Sequence, residues 1–194
     1  VKANILAGYE KPYEAYGLRK NGEVYPLRLE ARNIPYKGRD VRVGEFRDIT
    51  EHKRAEVALR ESERRLADVI EFLPDATLAI NRDRRIIVWN KAIEEMTGIS
   101  SAEMIGQGDY AYTLPFYGER RQQLMDLVLE DSAETAARYP AITRQGDTLT
   151  AEVFCNELYS GRGAWVFLKA SPLHDASGQV IGAIESIRDI TERI

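Results

Sequence analysis

The feature that most constrains this chain is a short element that occurs twice. Residues 44–51 read GEFRDITE, and residues 185–192 read ESIRDITE. Each copy follows an apolar run of the kind that forms a strand, and each comes after a turn and a glycine. Two copies of RDIT at the end of a strand, each leading into charged sequence, predict one type of module that is used twice.

The stretch between the two copies predicts one helix from Asp48 to Leu73. It has neither glycine nor proline and is rich in Ala, Leu, Glu and Arg, which favour helix. A heptad seam runs along it and is apolar in its second half: His52, Ala55, Leu59, Ser62, Leu66, Val69 and Leu73. The first interpretation is a coiled coil that links two modules, and the second is an amphipathic helix lying on a domain. In the first, the chain forms a homodimer through four seam residues: Leu59, Leu66, Val69 and Leu73.

The strand pattern predicts an incomplete first unit and a complete second one. Residues 1–50 hold a meander of three strands, which makes a poor independent domain. It is predicted to be the closing half of a module, and the alternative is a small meander that packs on its neighbour. Residues 51–70 form the linker helix, and residues 192–194 begin a further linker. Residues 71–191 hold two strands, short helices, an amphipathic helix over Gly118–Glu130 and a closing three-strand meander. The predicted fold class is α+β, with helices on one face of an antiparallel sheet.

Composition and charge limit the cellular compartments and the classes of partner that fit this chain. A net charge of −4 gives no electrostatic attraction for nucleic acid. No apolar run reaches the ~18–20 residues of a membrane span, and a single cysteine suits a reducing compartment. Because the chain begins at Val1 and stops just after the second RDIT, we expect a cytoplasmic fragment of a longer protein. A membrane anchor elsewhere in that protein stays open.

This order of elements, with RDIT before a charged helix, resembles that of PAS domains, the sensory modules of bacterial and archaeal signalling proteins. The resemblance covers residues 70–191, and in the first unit the closing half alone. Its main motifs are Leu73-Pro74-Asp75, Val88-Trp89-Asn90, Met96-Thr97-Gly98, Ala170-Ser171-Pro172-Leu173 and Arg188-Asp189-Ile190-Thr191. It implies a five-stranded sheet whose helices make a small pocket. It also implies that the sheet is coupled to the outgoing helix by an Asp and a Thr in each copy: Asp48, Thr50, Asp189 and Thr191.

The residues give no support for catalysis or for a metal site within this fragment. The only histidines are His52 and His174, and nothing places either beside a nucleophile. In families of this kind, haem takes a His on or near the longer helix, which has none here. Adduct-forming flavin takes a Cys in an Asn-Cys-Arg-Phe context on a helix, whereas Cys155 is predicted in a strand as a buried apolar residue. The cofactor is therefore unknown, and noncovalent flavin and a small metabolite both stay open.

The candidate pocket centres on Asp109–Arg121, which reads DYAYTLPFYGERR. Its aromatic residues, followed by two arginines at a predicted helix N-terminus, suit a small aromatic or anionic ligand. The alternative is that the aromatic residues fill the core and the arginines are solvated. The candidate residues are Trp89, Tyr110, Tyr112, Phe116, Tyr117, Arg120 and Arg121.

These features predict a sensory module that relays a ligand-dependent change to an output domain outside the chain. A sensor histidine kinase is the first choice for the whole protein, and a diguanylate cyclase or a transcription regulator are the alternatives. The competing hypothesis is a dimerisation and relay scaffold that binds no ligand. A co-purified chromophore or small molecule would separate the two.

Overall fold

The computed structural model describes residue 7 and residues 9–193 of the chain. The chain divides into two units, Val1–Arg65 and Leu66–Ile194. The predicted limits of the first unit and of the last linker include residues 1–6, 8 and 194, which lie outside the described residues.

The first unit holds the predicted three-stranded antiparallel meander, and its strands are β1 (Tyr13–Leu18), β2 (Val24–Tyr36) and β3 (Arg39–Asp48). The turn between β1 and β2 forms because Gly22 adopts a positive φ of 87° and Asn21 accepts a hydrogen bond from the Glu23 amide. Three alternate residues of β2 form a small buried cluster: Leu27, Leu29 and Ala31. A helix follows from Thr50 to Glu71, and no residue along it is buried.

The second unit is built on one antiparallel sheet of six strands in the order β5-β4-β9-β8-β7-β6. The predicted α+β class is confirmed, and the sheet has one strand more than expected because β6 adds to the edge of β7. The strands are β4 (Ala76–Asn81), β5 (Ile86–Trp89), β6 (Ile142–Gln145), β7 (Thr148–Cys155), β8 (Ala164–His174) and β9 (Val180–Asp189).

Short helices pack on the inner face of this sheet. Asn90 caps the first by accepting a hydrogen bond from the Ile93 amide, and Gly98, with φ 76°, ends it. The sheet and the helical segments contribute to one buried apolar core. The α-helices are Lys91–Thr97, Ser101–Met104, Leu114–Tyr117, Asp126–Leu129 and Ala133–Ala136, and 3₁₀ turns lie at Ala111–Thr113 and Thr191–Arg193. A tight turn at Leu158–Gly161 joins β7 to β8.

The predicted helix over Gly118–Glu130 is wrong, because only Asp126–Leu129 is helical. Gly118 turns the chain away with φ 72°. Side chains then bind the backbone amides that a helix would use: the Thr113 hydroxyl accepts from the Arg121 amide, and the Asp126 carboxylate accepts from the Gln123 amide. These contacts compete with helical hydrogen bonds and hold residues 118–125 in an irregular loop.

Candidate functional site

The predicted aromatic residues meet in the interior of the second unit, and all of them pack in or against its core. Tyr112, Phe116 and Trp89 are buried, whereas Tyr110 and Tyr117 are partly exposed. The Tyr112 hydroxyl donates to the Asp126 carboxylate at 2.8 Å, and the Trp89 indole donates to the Ile99 carbonyl at 3.0 Å. Tyr110 packs edge-on against Tyr112, and Phe116 packs at a tilt against Tyr117. These four rings form an aromatic wall, which is held by packing and by the hydrogen bond of Tyr112.

The two arginines of the candidate pocket do not lie at a helix N-terminus, so that part of the prediction is wrong. Arg120 is exposed and binds the Asp109 carboxylate at 3.1 Å. Arg121 lies over the Tyr117 ring, with its guanidinium carbon 3.6 Å from the ring centroid, and its Nη1 reaches Glu119 at 3.3 Å. Within the part of the chain that the structure describes, the buried Nε of Arg121 has no hydrogen-bond partner.

The interior also holds a polar cluster that the sequence reasoning missed, formed by Glu185, Gln123 and Asp126. All three residues are buried, and the Gln123 side-chain amide donates to Glu185 Oε2. Asp126 accepts from the Gln123 amide, from Tyr112 and from Arg84 Nε at 3.2 Å. The sequence did carry a signal for Glu185. It lies two residues from Ala183 and two from Ile187 in β9, and alternate residues of a strand face the same side.

Burial dominates the protonation of this interior. It raises the pKa of Asp126 against the lowering effects of its three hydrogen-bond donors. It also raises the pKa of Tyr112, and the negative charge on Asp126 adds to that rise. Burial raises the pKa of the Cys155 thiol to about 12. Cys155 lies at the end of β7 and is fully buried, so it packs as an apolar residue rather than as a reactive thiolate.

The second RDIT forms a hydrogen-bonded joint at the end of β9. Asp189 accepts a hydrogen bond from the Thr191 amide at 2.8 Å. The Thr191 hydroxyl accepts from the Trp165 amide at 3.1 Å, and the Ile190 amide donates to the Trp165 carbonyl at 2.9 Å. Although burial acts in the opposite direction, the hydrogen bonds from Thr191 and Tyr159 lower the pKa of Asp189. The end of β9 is thus tied to the start of β8.

The first RDIT repeats this local geometry in its own unit. Asp48 accepts hydrogen bonds from the Thr50 amide and hydroxyl, and these bonds lower its pKa to about 2. Asp48 also pairs with Arg19. The Ile49 amide donates to the Pro26 carbonyl at 3.1 Å, as the Ile190 amide does to Trp165 in the second copy. The repeat of sequence is therefore a repeat of structure.

A second joint, which the sequence analysis did not single out, lies where the second unit begins. The Asn90 carboxamide oxygen accepts from the Thr77 amide at 2.8 Å and from the Ile93 amide at 3.1 Å. Its Nδ2 donates to three carbonyls along the incoming chain: Ile70, Leu73 and Asp75. The position of Asn90, directly after a strand and before a helix, was the signal for the cap but not for the contacts with the incoming chain.

An ion pair connects the incoming chain to the outgoing segment. Arg188, the first residue of RDIT, binds the Asp75 carboxylate through Nε at 2.9 Å and through Nη2 at 2.7 Å. This two-point contact lowers the pKa of Asp75. Residues 75 and 188 are far apart in sequence, so the pairing could not be found from one sequence alone.

The predicted seam residues are all exposed on the helix Thr50–Glu71 and just beyond it. Leu59, Leu66 and Val69 are each about 60% exposed, and Leu73 is 37% exposed. Val57 and Phe72 add to the exposed apolar surface of this stretch. The dimer interface stays a prediction, because the structure contains one chain.

The described residues contain no group of three or more metal-ligating side chains. His52 and His174 are both exposed, one on the long helix and one at the end of β8. Among the helices that the structure describes, none is long and apolar enough to cross a membrane.

Comparison with known proteins gives two family matches. A family described as PAS fold matches residues 70–194, and a family described as PAS domain matches residues 2–51. The first match covers more than half of the chain and coincides with the unit that holds the six-stranded sheet.

Individual relatives are distant. The oxygen sensor protein DosP of Escherichia coli (strain K12) is 23% identical over 176 residues, which are 90% of this chain and 20% of that protein. The PAS domain of a Colwellia psychrerythraea protein is 23% identical, with 67% of this chain and 98% of that chain covered and a TM-score of 0.46. The PAS domain of Bordetella pertussis BvgS is 18% identical, with 71% and 92% covered and a TM-score of 0.47. This chain thus spans about one fifth of the length of DosP.

Proposed function

Because this chain belongs to the PAS fold family, we propose that residues 66–194 are a sensory unit of a signal-transduction protein. The unit takes a small ligand or cofactor between the sheet and its helices. The resulting movement of β9 passes through Asp189 and Thr191 to the chain that follows. The output domain lies outside the 194 residues.

The observation that carries the proposal is the joint at the end of β9. The Thr191 hydroxyl and the Ile190 backbone both bind Trp165, and the Asp189 carboxylate binds the Thr191 amide. A shift of β9 against β8 must therefore break these bonds or carry the outgoing residues with it. A relay requires an element with two discrete arrangements, and we propose that this hydrogen-bonded connection is that element.

The interior supports the sensing half of the proposal. The aromatic wall supplies apolar surface, while the buried polar cluster of Glu185, Gln123 and Asp126 supplies hydrogen-bonding groups. Apolar walls with a few placed polar groups are typical of small-molecule sites. The candidate pocket residues of the sequence analysis stay candidates, with Arg121 better placed than Arg120 because it is less exposed and stacks on Tyr117.

The contacts at the start of the second unit support the relay part of the proposal. Asn90 holds the end of the incoming chain against β4, and Asp75 joins that end to Arg188 in the outgoing RDIT. A change in the helix Thr50–Glu71 would reach Asp189 along this route. We propose that the exposed seam of this helix pairs with a second copy of the chain, which would make the relay a dimer.

The experiment is an absorption spectrum of the purified chain, followed by mass spectrometry of whatever is released on denaturation. A flavin band, or a defined released molecule, supports sensing by a bound group. Oxygen sensing through haem is not part of the proposal, because His52 and His174 are both exposed and lie outside the core. A chain that releases nothing, and whose melting temperature no aromatic or anionic metabolite raises, would contradict the sensing proposal.

The second candidate function is a dimerisation and relay scaffold without a ligand. The dense packing of the interior favours it, since Tyr112, Phe116 and Leu124 are all essentially unexposed. Under either function, we propose a sensor histidine kinase as the whole protein, with a diguanylate cyclase or a transcription regulator as alternatives. This choice rests on analogy between proteins of one fold.

A further inference from the structure

Glu185 is a carboxyl group placed where the strand pattern calls for an apolar residue. It lies in the middle of β9, is 0% exposed, and has Ala183 and Ile187 on the same face. Its direct neighbours across the sheet are Leu78 on β4 and Ala170 on β8, both also unexposed. The group is therefore out of reach of water on the strand side.

The hydrogen bonds of Glu185 are incomplete. Oε2 accepts from the side-chain amide of Gln123. In the part of the chain that the structure describes, Oε1 has no partner. A buried carboxylate with a single hydrogen-bond donor is strongly disfavoured, because the charge is removed from water. The neutral acid loses far less solvation free energy on burial.

In the described part of the chain, no cation is among the groups that shift the pKa of Glu185, so nothing there compensates for the negative charge of its ionised form. The titratable groups that face it are Asp126 from its short helix, Tyr117 and Tyr139 from the helical layer, and Cys155 from β7. Of the nearby arginines, Arg84 pairs with Asp126 and Glu130. Arg121 pairs with Glu119, and among the described residues its buried Nε has no partner. Burial, and then the negative charge on Asp126, raise the pKa of Glu185 to about 8.

Gln123 connects this carboxyl group to a loop that has little regular structure. Residues 118–125 are held by side-chain contacts rather than by a helix. Gln123 makes two of those contacts, one from its side chain to Glu185 and one from its backbone to Asp126. The loop therefore docks on the sheet through a bond whose acceptor can gain or lose a proton.

We propose that Glu185 and the loop of residues 118–125 form a proton-operated latch: the loop is docked on β9 while Glu185 is protonated, and loss of that proton to water releases the loop. The electron pair of the broken O–H bond stays on the carboxylate, which then needs water that only an open loop admits. Because β9 continues into Asp189, an open latch alters the strand that ends in the outgoing joint. The latch stands whether or not the unit binds a small molecule.

The test is hydrogen–deuterium exchange of the backbone amides of residues 118–125 in the full chain, at several pH values below the pKa of about 8. Exchange is expressed as a protection factor, so that the intrinsic effect of pH is removed. If opening requires loss of the Glu185 proton, the protection factor falls about tenfold for each pH unit between roughly pH 6 and pH 8. Protection that changes by less than about twofold over this window would overturn the proposal.

Substitutions of Glu185 test whether its proton is the one that controls opening of the loop. Glu185→Gln cannot ionise, so its protection factors should not vary with pH. Should that variant not fold, Glu185→Leu matches the apolar neighbours and makes the same prediction. The matched control is Glu152→Gln, which alters an exposed glutamate on β7 and should keep the wild-type slope. An unchanged slope in a folded Glu185 variant would also overturn the proposal.

Discussion

Replacing Asn90 by alanine should destabilise the second unit by about 3 kcal/mol. Removal of the side-chain oxygen leaves the buried Thr77 amide without the partner that it has at 2.8 Å, which costs about 1–3 kcal/mol. The same change removes the cap at the Ile93 amide, which costs about 1 kcal/mol. The carbonyls of Ile70 and Leu73 are near the surface. Loss of the Asn90 amide donor costs them less free energy, because water can replace it.

Urea unfolding followed by tryptophan fluorescence measures this cost. The chain has two tryptophans, Trp89 and Trp165, and both lie in the second unit, so the signal reports on that unit. The matched control is Asn156→Ala, because Asn156 is exposed and its side-chain amide donates to the adjacent Glu157. A loss of less than about 1 kcal/mol on Asn90→Ala would refute the view that Asn90 ties β4 to the helix Lys91–Thr97.

Three further predictions concern the helix, the sheet and the pH. Replacing Leu66 and Val69 by aspartate should convert dimers to monomers in sedimentation velocity, and a dimer that survives would place the interface elsewhere. Gly182→Ala should cost about 3 kcal/mol in urea unfolding, because its Cβ would lie 2.1 Å from a carbonyl oxygen of β4; Gly108→Ala, with 3.6 Å to its nearest neighbour, is the control and should stay near wild type. Because the folded-state pKa of Glu185 lies at about 8, above the ordinary value of 4.5, the stability that its proton contributes is complete below about pH 4.5 and is lost as the pH rises to about 8; denaturation midpoints that rise over this window would contradict the assignment.

Local patterns were sufficient for most of the fold. Each of these patterns acts over a few residues, so one sequence reveals it. They are the alternation in β2, the glycines of the turns and the helix formers between the two RDIT copies. The segment Gly118–Glu130 has the composition of a helix, but the side chains of Asp126 and of Thr113, which lies outside the segment, bind its backbone amides. Tertiary contacts overrode local preference there.

The site was predicted less well, for a related reason. The aromatic residues of the interior could be found because they are large, apolar and close together in sequence. The groups that connect elements could not, because their partners are distant: Asp75 with Arg188, and Gln123 with Glu185. A charged residue at an inward position of β9 was visible in the sequence, but its partner was not.

The central claim is that the interior of the second unit is mechanically joined to the segment that leaves it. The most direct measurement is the NMR amide shifts of Ile190 and Thr191 when the interior is altered by Tyr112→Phe, which removes the hydroxyl that binds Asp126 at 2.8 Å. The account predicts that both amide resonances move, and that Thr191→Val, which lacks the hydroxyl that accepts from Trp165, weakens the response. Shifts confined to the surroundings of Tyr112, with Ile190 and Thr191 unchanged, would contradict it.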